Sequence, residues 1–319
     1  MHSLTIIVTY YNSEEYIQSC IESIKQQRTQ DFEVIIVNDG STDQTEALMK
    51  ESLKDYDKKV NYIKLEENQG HAHARNVAMK EVETPYFMFL DADDELASYA
   101  ITFYLDKFNY TDGLIAPVHS FMLKKPQYVD LDKVKVNYFD GKRNINSFLR
   151  KQTACNIIFR TAIVRAHDLK FNEDLNVYTD WSFVIEYSKY VNKFMRITNF
   201  SFYYRGEVYD PFDGKTLSEQ DFDILFEDYV KMFYDAMARV THKETKSFII
   251  NKLEQQIARD FDPTHHDIKK RYAAHKETLV ELARYLNVNL IKHQHLINKI
   301  ETILLMNEDT EKAFQVNQF

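Results

Sequence analysis

Tyr86-Phe87-Met88-Phe89-Leu90-Asp91-Ala92-Asp93-Asp94 is the stretch whose reading decides the fold. Five mostly apolar residues follow Pro85 and end in three carboxylates within four positions. The apolar part predicts a strand buried on both faces, as in a parallel sheet covered by helices. The carboxylates then stand where that strand leaves the sheet. Like charges packed this closely repel, so a folded chain that keeps them together invites a cation. Hard carboxylate oxygens suit Mg²⁺ or Mn²⁺, which in turn hold phosphates. Taken alone, the same residues also read as a solvated acidic turn.

Working outward, apolar runs at 4–8, 32–37 and 60–65 predict three more strands, and helical spacing predicts the segments between them. Tyr16, Ile17, Cys20, Ile21 and Ile24 line one helix face, with Ser13 as the expected N-cap. Thr42 or Asp43 is expected to cap a second helix running to about 53, and 70–80 reads as a third. Strands alternating with helices imply a parallel sheet with helices on both faces. Ligands of such sheets bind outside the carboxyl ends of the strands. The polar clusters at 9–12, 38–41 and 91–94 all fall on that edge.

The middle of the chain is less regular, with expected strands at 114–118, 154–159 and 200–205 and a helix at 181–190. From about 218 the pattern turns helical, with apolar residues at intervals of three and four over 222–240, 244–259 and 275–286. The expected organisation is an α/β domain over 1–215, divided into 1–95 and 96–215, then an α-helical region over 216–319.

The chain has 319 residues and 44% hydrophobic content, enough for a sizeable core, and a net charge of −9. No basic excess is available to neutralise a phosphate backbone, which argues against nucleic-acid binding. Cys20 and Cys155 are the only cysteines, so a disulfide framework or a structural zinc site is not expected. No apolar run reaches the ~18–20 residues that span a bilayer, and no secretory signal opens the chain. The expected location is cytoplasmic, with contact at the inner face of the cell membrane left open.

The polar clusters form an ordered set: Val8-Thr9-Tyr10-Tyr11-Asn12-Ser13-Glu14, Val37-Asn38-Asp39-Gly40-Ser41-Thr42-Asp43, Glu67-Asn68-Gln69-Gly70, Ala74-Arg75-Asn76 and Leu90-Asp91-Ala92-Asp93-Asp94. This set resembles the nucleotide-sugar domain of glycosyltransferase family 2, strongly over the first 95 residues or so and more weakly to about 218. The resemblance implies a GT-A fold, a Rossmann-like, mostly parallel sheet. It also implies a UDP-sugar donor and a Mn²⁺ or Mg²⁺ cofactor.

Asp39 follows a buried strand, where its carboxylate can accept the imide N–H of a uracil; it reads equally as a turn or cap residue. Tyr11 can stack on the base or simply pack. Asn68 can bond base or ribose or serve the turn before Gly70. Thr9 belongs to the same donor-binding edge. Arg75 can bridge a diphosphate, brace the acidic loop, or form a surface ion pair. By resemblance, Asp91 meets ribose or metal and Asp93 is the main metal ligand. By resemblance too, Tyr178-Thr179-Asp180-Trp181 places Asp180 as general base, with Thr179 where the family more often has Glu; Glu173 and Asp174 compete for the role. The later Tyr203-Tyr204-Arg205-Gly206 places Arg205 near the diphosphate, beside an expected mobile loop over 207–217. His71 and His73, two apart on a helix, point to different faces and are not expected to share a metal.

A base opposite the leaving group implies a single in-line displacement, hence inversion and a β-linked product. Within the family the chain looks most like bacterial enzymes that build or decorate surface polymers, wall-teichoic-acid glycosyltransferases among them. That implies a polymeric or glycan acceptor, such as an anionic polyol phosphate, and transfer of a hexosyl or N-acetylhexosaminyl group. Lys142 and Arg143, with Lys124, Lys125, Arg150, Lys151 and Arg160, are candidates to meet such an acceptor, and Trp181 to stack on a sugar. The same cations also read as ordinary solvating charge. Homo-oligomerisation, or service as the N-terminal module of a longer chain, stays open. The alternative function is a non-catalytic carbohydrate-binding module or a degenerate transferase; intact Asp39, Asp91, Asp93 and Asp180 argue against decay. A nucleotidyltransferase on a similar sheet is disfavoured because no Gly-rich basic loop follows the first strand.

Overall fold

The computed structural model describes residues 3–107, 111–115, 118–119, 133–149, 153–197, 203–205, 222–264, 267–289 and 293–305. The four expected strands of the first half form: β1 (Leu4–Tyr10), β2 (Glu33–Asn38), β3 (Val60–Lys64) and β4 (Tyr86–Asp91). They pair in parallel in the order β3-β2-β1-β4. Every residue of β1 is buried, as is almost all of β2 and β4, which is why these strands read as continuous apolar runs rather than alternations. The edge strand β3 is only half-buried.

Four strands of the second half extend this sheet: β6 (Gly113–Ile115), β8 (Val136–Asp140), β9 (Ile157–Arg160) and β10 (Lys193–Ile197). The full order is β3-β2-β1-β4-β9-β6-β10-β8. Three pairings are antiparallel: β4 with β9, β9 with β6, and β10 with β8. Direction matters for the site. Because β9 runs against β4, its start lies at the same sheet edge as the end of β4. Because β8 runs against β10, its end at Asp140 lies beside Lys193, the start of β10, at the opposite edge. A small second sheet joins β5 (Asp94–Leu96), β11 (Tyr203–Arg205) and β7 (Val118–His119).

The first three helices are α1 (Ile17–Lys25), α2 (Thr45–Ser52) and α3 (His71–Lys80). α1 buries Ile17, Cys20, Ile21 and Ile24, the face expected from spacing. Ser13 does not cap it with its side chain. Its carbonyl accepts the N–H groups of Tyr16 and Ile17 and its hydroxyl donates to the Tyr11 carbonyl, because a turn intervenes before the helix begins. Asp43 holds the start of α2, accepting from the Thr45 N–H at 3.0 Å and hydroxyl at 2.6 Å. The remaining α-helices among the described residues of the α/β part are α4 (Ala100–Lys107), α5 (Ile145–Leu149), α6 (Thr161–Ala166) and α7 (Thr179–Ser188). The expected strand at 154–159 starts instead as a 3₁₀ turn, Ala154–Asn156. An aromatic cluster packs beneath the sheet end: Phe171 stacks on Phe183 at 4.2 Å, and Phe159 meets Tyr187 edge-on at 4.9 Å.

The chain divides into two compact units. One comprises Met1–Asp174 with Thr179–Asp213, the other Leu175–Tyr178 with Gly214–Phe319. The second is helical: α8 (Phe222–Arg239), α9 (Lys243–Asp260), α10 (Ile268–Asn289) and α11 (Gln294–Leu305). α11 was not expected, and α10 is longer than its apolar spacing suggested. Phe233, Leu253, Leu279, Leu282, Leu286 and Ile300 form its core. The buried Asp228 accepts the N–H groups of Asn176 at 2.6 Å and Val177 at 3.0 Å, which ties the short segment to α8. No described helix is long and apolar enough to cross a membrane.

Candidate active site

The level register of the parallel strands creates the site. Thr9 pairs with Val37 on one side and Asp91 on the other, so the loops after β1, β2 and β4 emerge together. The loops are also stitched to each other. Asn12, at φ +46°, donates its N–H to the Ser41 hydroxyl at 3.0 Å and accepts the Thr42 N–H on its side chain at 2.9 Å.

Asp39 is buried, and its two oxygens accept the N–H groups of Gln69 at 2.9 Å and Gly70 at 3.0 Å. The carboxylate thus fastens the 68–70 turn, and each oxygen retains a second lone pair for a ligand. Asn68 also accepts from the Gly70 N–H, at 3.0 Å. Gly40 has φ +68°, and a Cβ there would lie 2.4 Å from the Glu67 carbonyl carbon; no other residue permits this approach. Tyr11 stands 44% exposed at the rim, whereas the Thr9 side chain is buried in the sheet.

Asp91, Asp93 and Asp94 each place an oxygen within 4.8 Å of the others, the only such metal-competent cluster among the described residues. Asp94 is buried, Asp91 half-buried and Asp93 exposed. The donor set is all hard oxygen, which fits Mg²⁺ or Mn²⁺ and not a soft metal.

Arg75 organises what surrounds this cluster. It is 1% exposed, and its guanidinium lies between the rings of Phe89 and Phe171, at 4.8 and 5.2 Å. Nη2 donates to Asp91 Oδ1 at 2.8 Å and to Cys155 Sγ at 3.1 Å, and Nη1 pairs with Asp180 Oδ1. Burial alone would lower its pKa, but Asp180, Cys155 and Asp91 outweigh that and raise it. Of the three roles open from sequence, bracing is the one these contacts describe. The Arg75 Nε is buried without a hydrogen-bond partner.

Asp180 is the second residue of α7. Its Oδ2 accepts from the Ala154 N–H at 2.8 Å and the Thr153 hydroxyl at 3.2 Å, and its side chain stays 22% exposed. His71 Nε2 lies 3.9 Å from Asp180 Oδ1. Desolvation, then the Arg75 cation, hold the His71 pKa below its usual value against the pull of Asp91, Asp180 and Asp39. Asn76 Nδ2 at 2.7 Å and His73 Nδ1 at 3.0 Å hold Glu173 against α3. Those contacts, Asn76 first, lower its pKa. The exposed Asp174 accompanies it on the same loop.

Several expected residues are not brought here. Lys142 and Arg143 follow β8 and so lie at the opposite edge of the sheet; nothing in their local sequence revealed that β8 runs antiparallel. Arg160 ends β9 at that same far edge and pairs with Asp112 at 3.0 Å. Trp181 is only 6% exposed and packs into the core instead of offering an open stacking face. Arg205, in contrast, ends β11 in backbone register with Asp94 of the acidic cluster. Lys124, Lys125, Arg150, Lys151 and the 207–217 loop lie outside the described residues.

Conversely, the sequence reading missed Thr153 and gave no site role to Cys155, or to Asn76 of the Ala74-Arg75-Asn76 motif. Cys155 is buried, and its thiol donates to Asp91 Oδ2 at 2.9 Å; burial first, then Asp91, push its pKa up. Cys20 meets the same residue from below, donating to the Asp91 backbone carbonyl at 3.6 Å.

The family model described as glycosyl transferase family 2 matches residues 5–168. The chain belongs to glycosyl transferase family 2. The family match includes Asp39, Arg75, Asp91 and Asp93 and ends before Asp180. Over all 319 residues the chain is 70% identical to the teichoic acid poly(glycerol phosphate) polymerase of Staphylococcus epidermidis, and covers 44% of that protein. Over 224 residues, 64% of this chain and 35% of the relative, it is 28% identical to the poly(ribitol-phosphate) beta-N-acetylglucosaminyltransferase TarS of Staphylococcus aureus. The chain therefore spans less than half the length of these curated relatives. A crystal structure of S. aureus TarS 1-349 in complex with UDP-GlcNAc aligns with a TM-score of 0.71 at 18% identity, over 99% of this chain and 93% of that one. The fold is GT-A, as the family resemblance implied.

Proposed function

We propose that this family 2 chain is an inverting transferase that moves a sugar from a UDP-sugar to a hydroxyl of a polyol-phosphate polymer, giving a β-linkage. The observation that carries this reading is one buried guanidinium, Arg75, joined at once to Asp91 of the acidic loop and to Asp180 at the start of α7. A donor-side carboxylate and a base candidate thus share one sheet edge at a fixed separation.

In this reading Tyr11, Asp39 and Asn68 receive the uracil and ribose. Asp93, with Asp91, would hold Mn²⁺ or Mg²⁺. Such an ion would stabilise the charge that develops on the departing UDP. Arg205, opposite Asp94 in backbone register, is assigned to the diphosphate by the family resemblance. Asp180 accepts the proton of the attacking hydroxyl, and Arg75, Thr153 and the Ala154 N–H hold its carboxylate in place. A base facing the leaving group requires one displacement, so the anomeric centre inverts.

The names of the relatives support the substrates. One is a poly(glycerol phosphate) polymerase and the other a poly(ribitol-phosphate) beta-N-acetylglucosaminyltransferase, so both handle polyol phosphate. The UDP-GlcNAc complex of TarS supports N-acetylglucosamine as the first sugar to test. The 44% coverage of the polymerase fits a transferase module of a longer chain, and the proposed place of action is the cytoplasm at the inner face of the membrane.

The test is a thermal-shift titration with UDP, CDP and GDP, each with and without Mn²⁺. A ligand at about 100 times its Kd adds roughly 2.7 kcal/mol of stability. A shift confined to UDP with Mn²⁺ supports the donor assignment. No shift with any nucleotide overturns it and favours a glycan-binding module.

A further inference from the structure

We infer that the Thr153–Cys155 turn is a positioning element that fixes the carboxylate planes of Asp91 and Asp180 together, a role that rests on the proposed transferase reading. Arg75 gives each carboxylate one hydrogen-bonding partner, on Oδ1 in both cases. An aspartate held at both oxygens has its carboxylate plane set, because the terminal torsion is otherwise broad. The turn engages the other oxygen of both. Cys155 Sγ donates to Asp91 Oδ2 at 2.9 Å, while the Ala154 N–H and Thr153 Oγ1 donate to Asp180 Oδ2 at 2.8 and 3.2 Å. The Arg75 contact to Cys155 Sγ at 3.1 Å closes the circuit.

The turn is itself held. The Thr153 hydroxyl accepts the Cys155 N–H at 3.4 Å while donating to Asp180. One hydroxyl thus shapes the turn and orients the base, and a serine can do both whereas a valine can do neither. Ala154 and Cys155 are fully packed at 0% and 1% exposure, and β9 continues directly from the turn into the sheet. Partners that orient a site carboxylate typically carry a 10–100-fold effect when lost. The geometry divides that effect: Thr153 bears on the base, Cys155 on the donor-side carboxylate.

The experiment uses the full chain with Thr153→Val, Thr153→Ser and Cys155→Ala. UDP release from UDP-N-acetylglucosamine is measured with Mn²⁺ and with poly(glycerol phosphate) or water as acceptor, alongside the Kd for UDP with Mn²⁺ by thermal shift. Thr153→Val should lower kcat about tenfold with UDP affinity within about twofold of the parent, and Thr153→Ser should restore kcat. Cys155→Ala should weaken UDP binding about tenfold. Parent-like kcat in Thr153→Val, no rescue by serine, or parallel loss of UDP affinity overturns the inference while leaving the transferase reading intact. A parent chain that neither binds UDP with Mn²⁺ nor releases UDP overturns both.

Discussion

Asp93 and Asp180 are neighbours in the site but have separable tasks. Asp93→Ala should abolish Mn²⁺-dependent UDP binding, whereas Asp180→Asn should keep that binding and lose transfer; isothermal titration beside a turnover assay separates the two. Arg75 is a different kind of residue. Arg75→Met would leave Asp91 and Asp180 without their shared cation and should destabilise the fold by about 3–5 kcal/mol, read as a lower urea midpoint at an unchanged slope. Glu46 sets a pH effect away from the site. Lys50, then Lys64, pull its pKa from 4.5 to about 2. A carboxylate depressed in the folded state contributes stability above its unfolded pKa and loses it as pH falls through the folded one. The Glu46 contribution should be complete above about pH 4.5 and fade toward pH 2. Glu46→Gln should flatten that part of the stability curve in acid-denaturation experiments. The acidic residues were legible because three carboxylates after an apolar run are locally conspicuous. Thr153 and Cys155 were not, since their partners Asp180 and Asp91 lie 27 and 64 positions away and no local pattern announces such a choice.

The parallel half of the sheet was readable element by element, because strands buried on both faces must be apolar throughout. β8 was not. It is an edge strand whose exposed Asn137, Tyr138 and Asp140 blur its pattern, and direction is set by its pairing with β10, not by its own residues. Lys142 and Arg143 were candidates only as cations of the 96–215 half, and the pairing of β8 with β10 sets them at the far end of the sheet. The clearest test at this scale concerns the turn after β2. Gly40→Ala would demand both a left-handed backbone and a Cβ 2.4 Å from the Glu67 backbone. The two loops would have to part, and Asp39 would lose its hold on Gln69 and Gly70. A loss of about 2 kcal/mol or more is expected in thermal unfolding, with UDP affinity falling alongside.

On the scale of the whole molecule, the described residues of the helical unit include no metal-competent cluster, yet its reach into the sequence is longer than its helices. Leu175–Tyr178 belongs to it although the residues on both sides belong to the α/β unit. A fragment ending at 215 would keep this segment but lack Asp228, the acceptor for two of its amides. Orphaning those groups should cost about 1–3 kcal/mol each where they stay buried. The fragment should melt below the full chain in calorimetry and lose transfer before it loses UDP binding. The helical unit was legible as helices from apolar spacing, but its claim on 175–178 was not, since four residues with no periodicity give no sign of which core they serve.

That interleaving also constrains inheritance. Two units joined end to end can be exchanged between genes by a single crossover, each arriving whole. Here a crossover near residue 215 would bring in a foreign helical unit while leaving behind the four-residue segment fitted to the old one, two positions ahead of Asp180. Only recombinants that also replace that segment, or that drift back into register with it, would keep both halves folded. The pair is therefore expected to travel through evolution as one cassette, with 175–178 co-varying with α8 rather than with its own sequence neighbours.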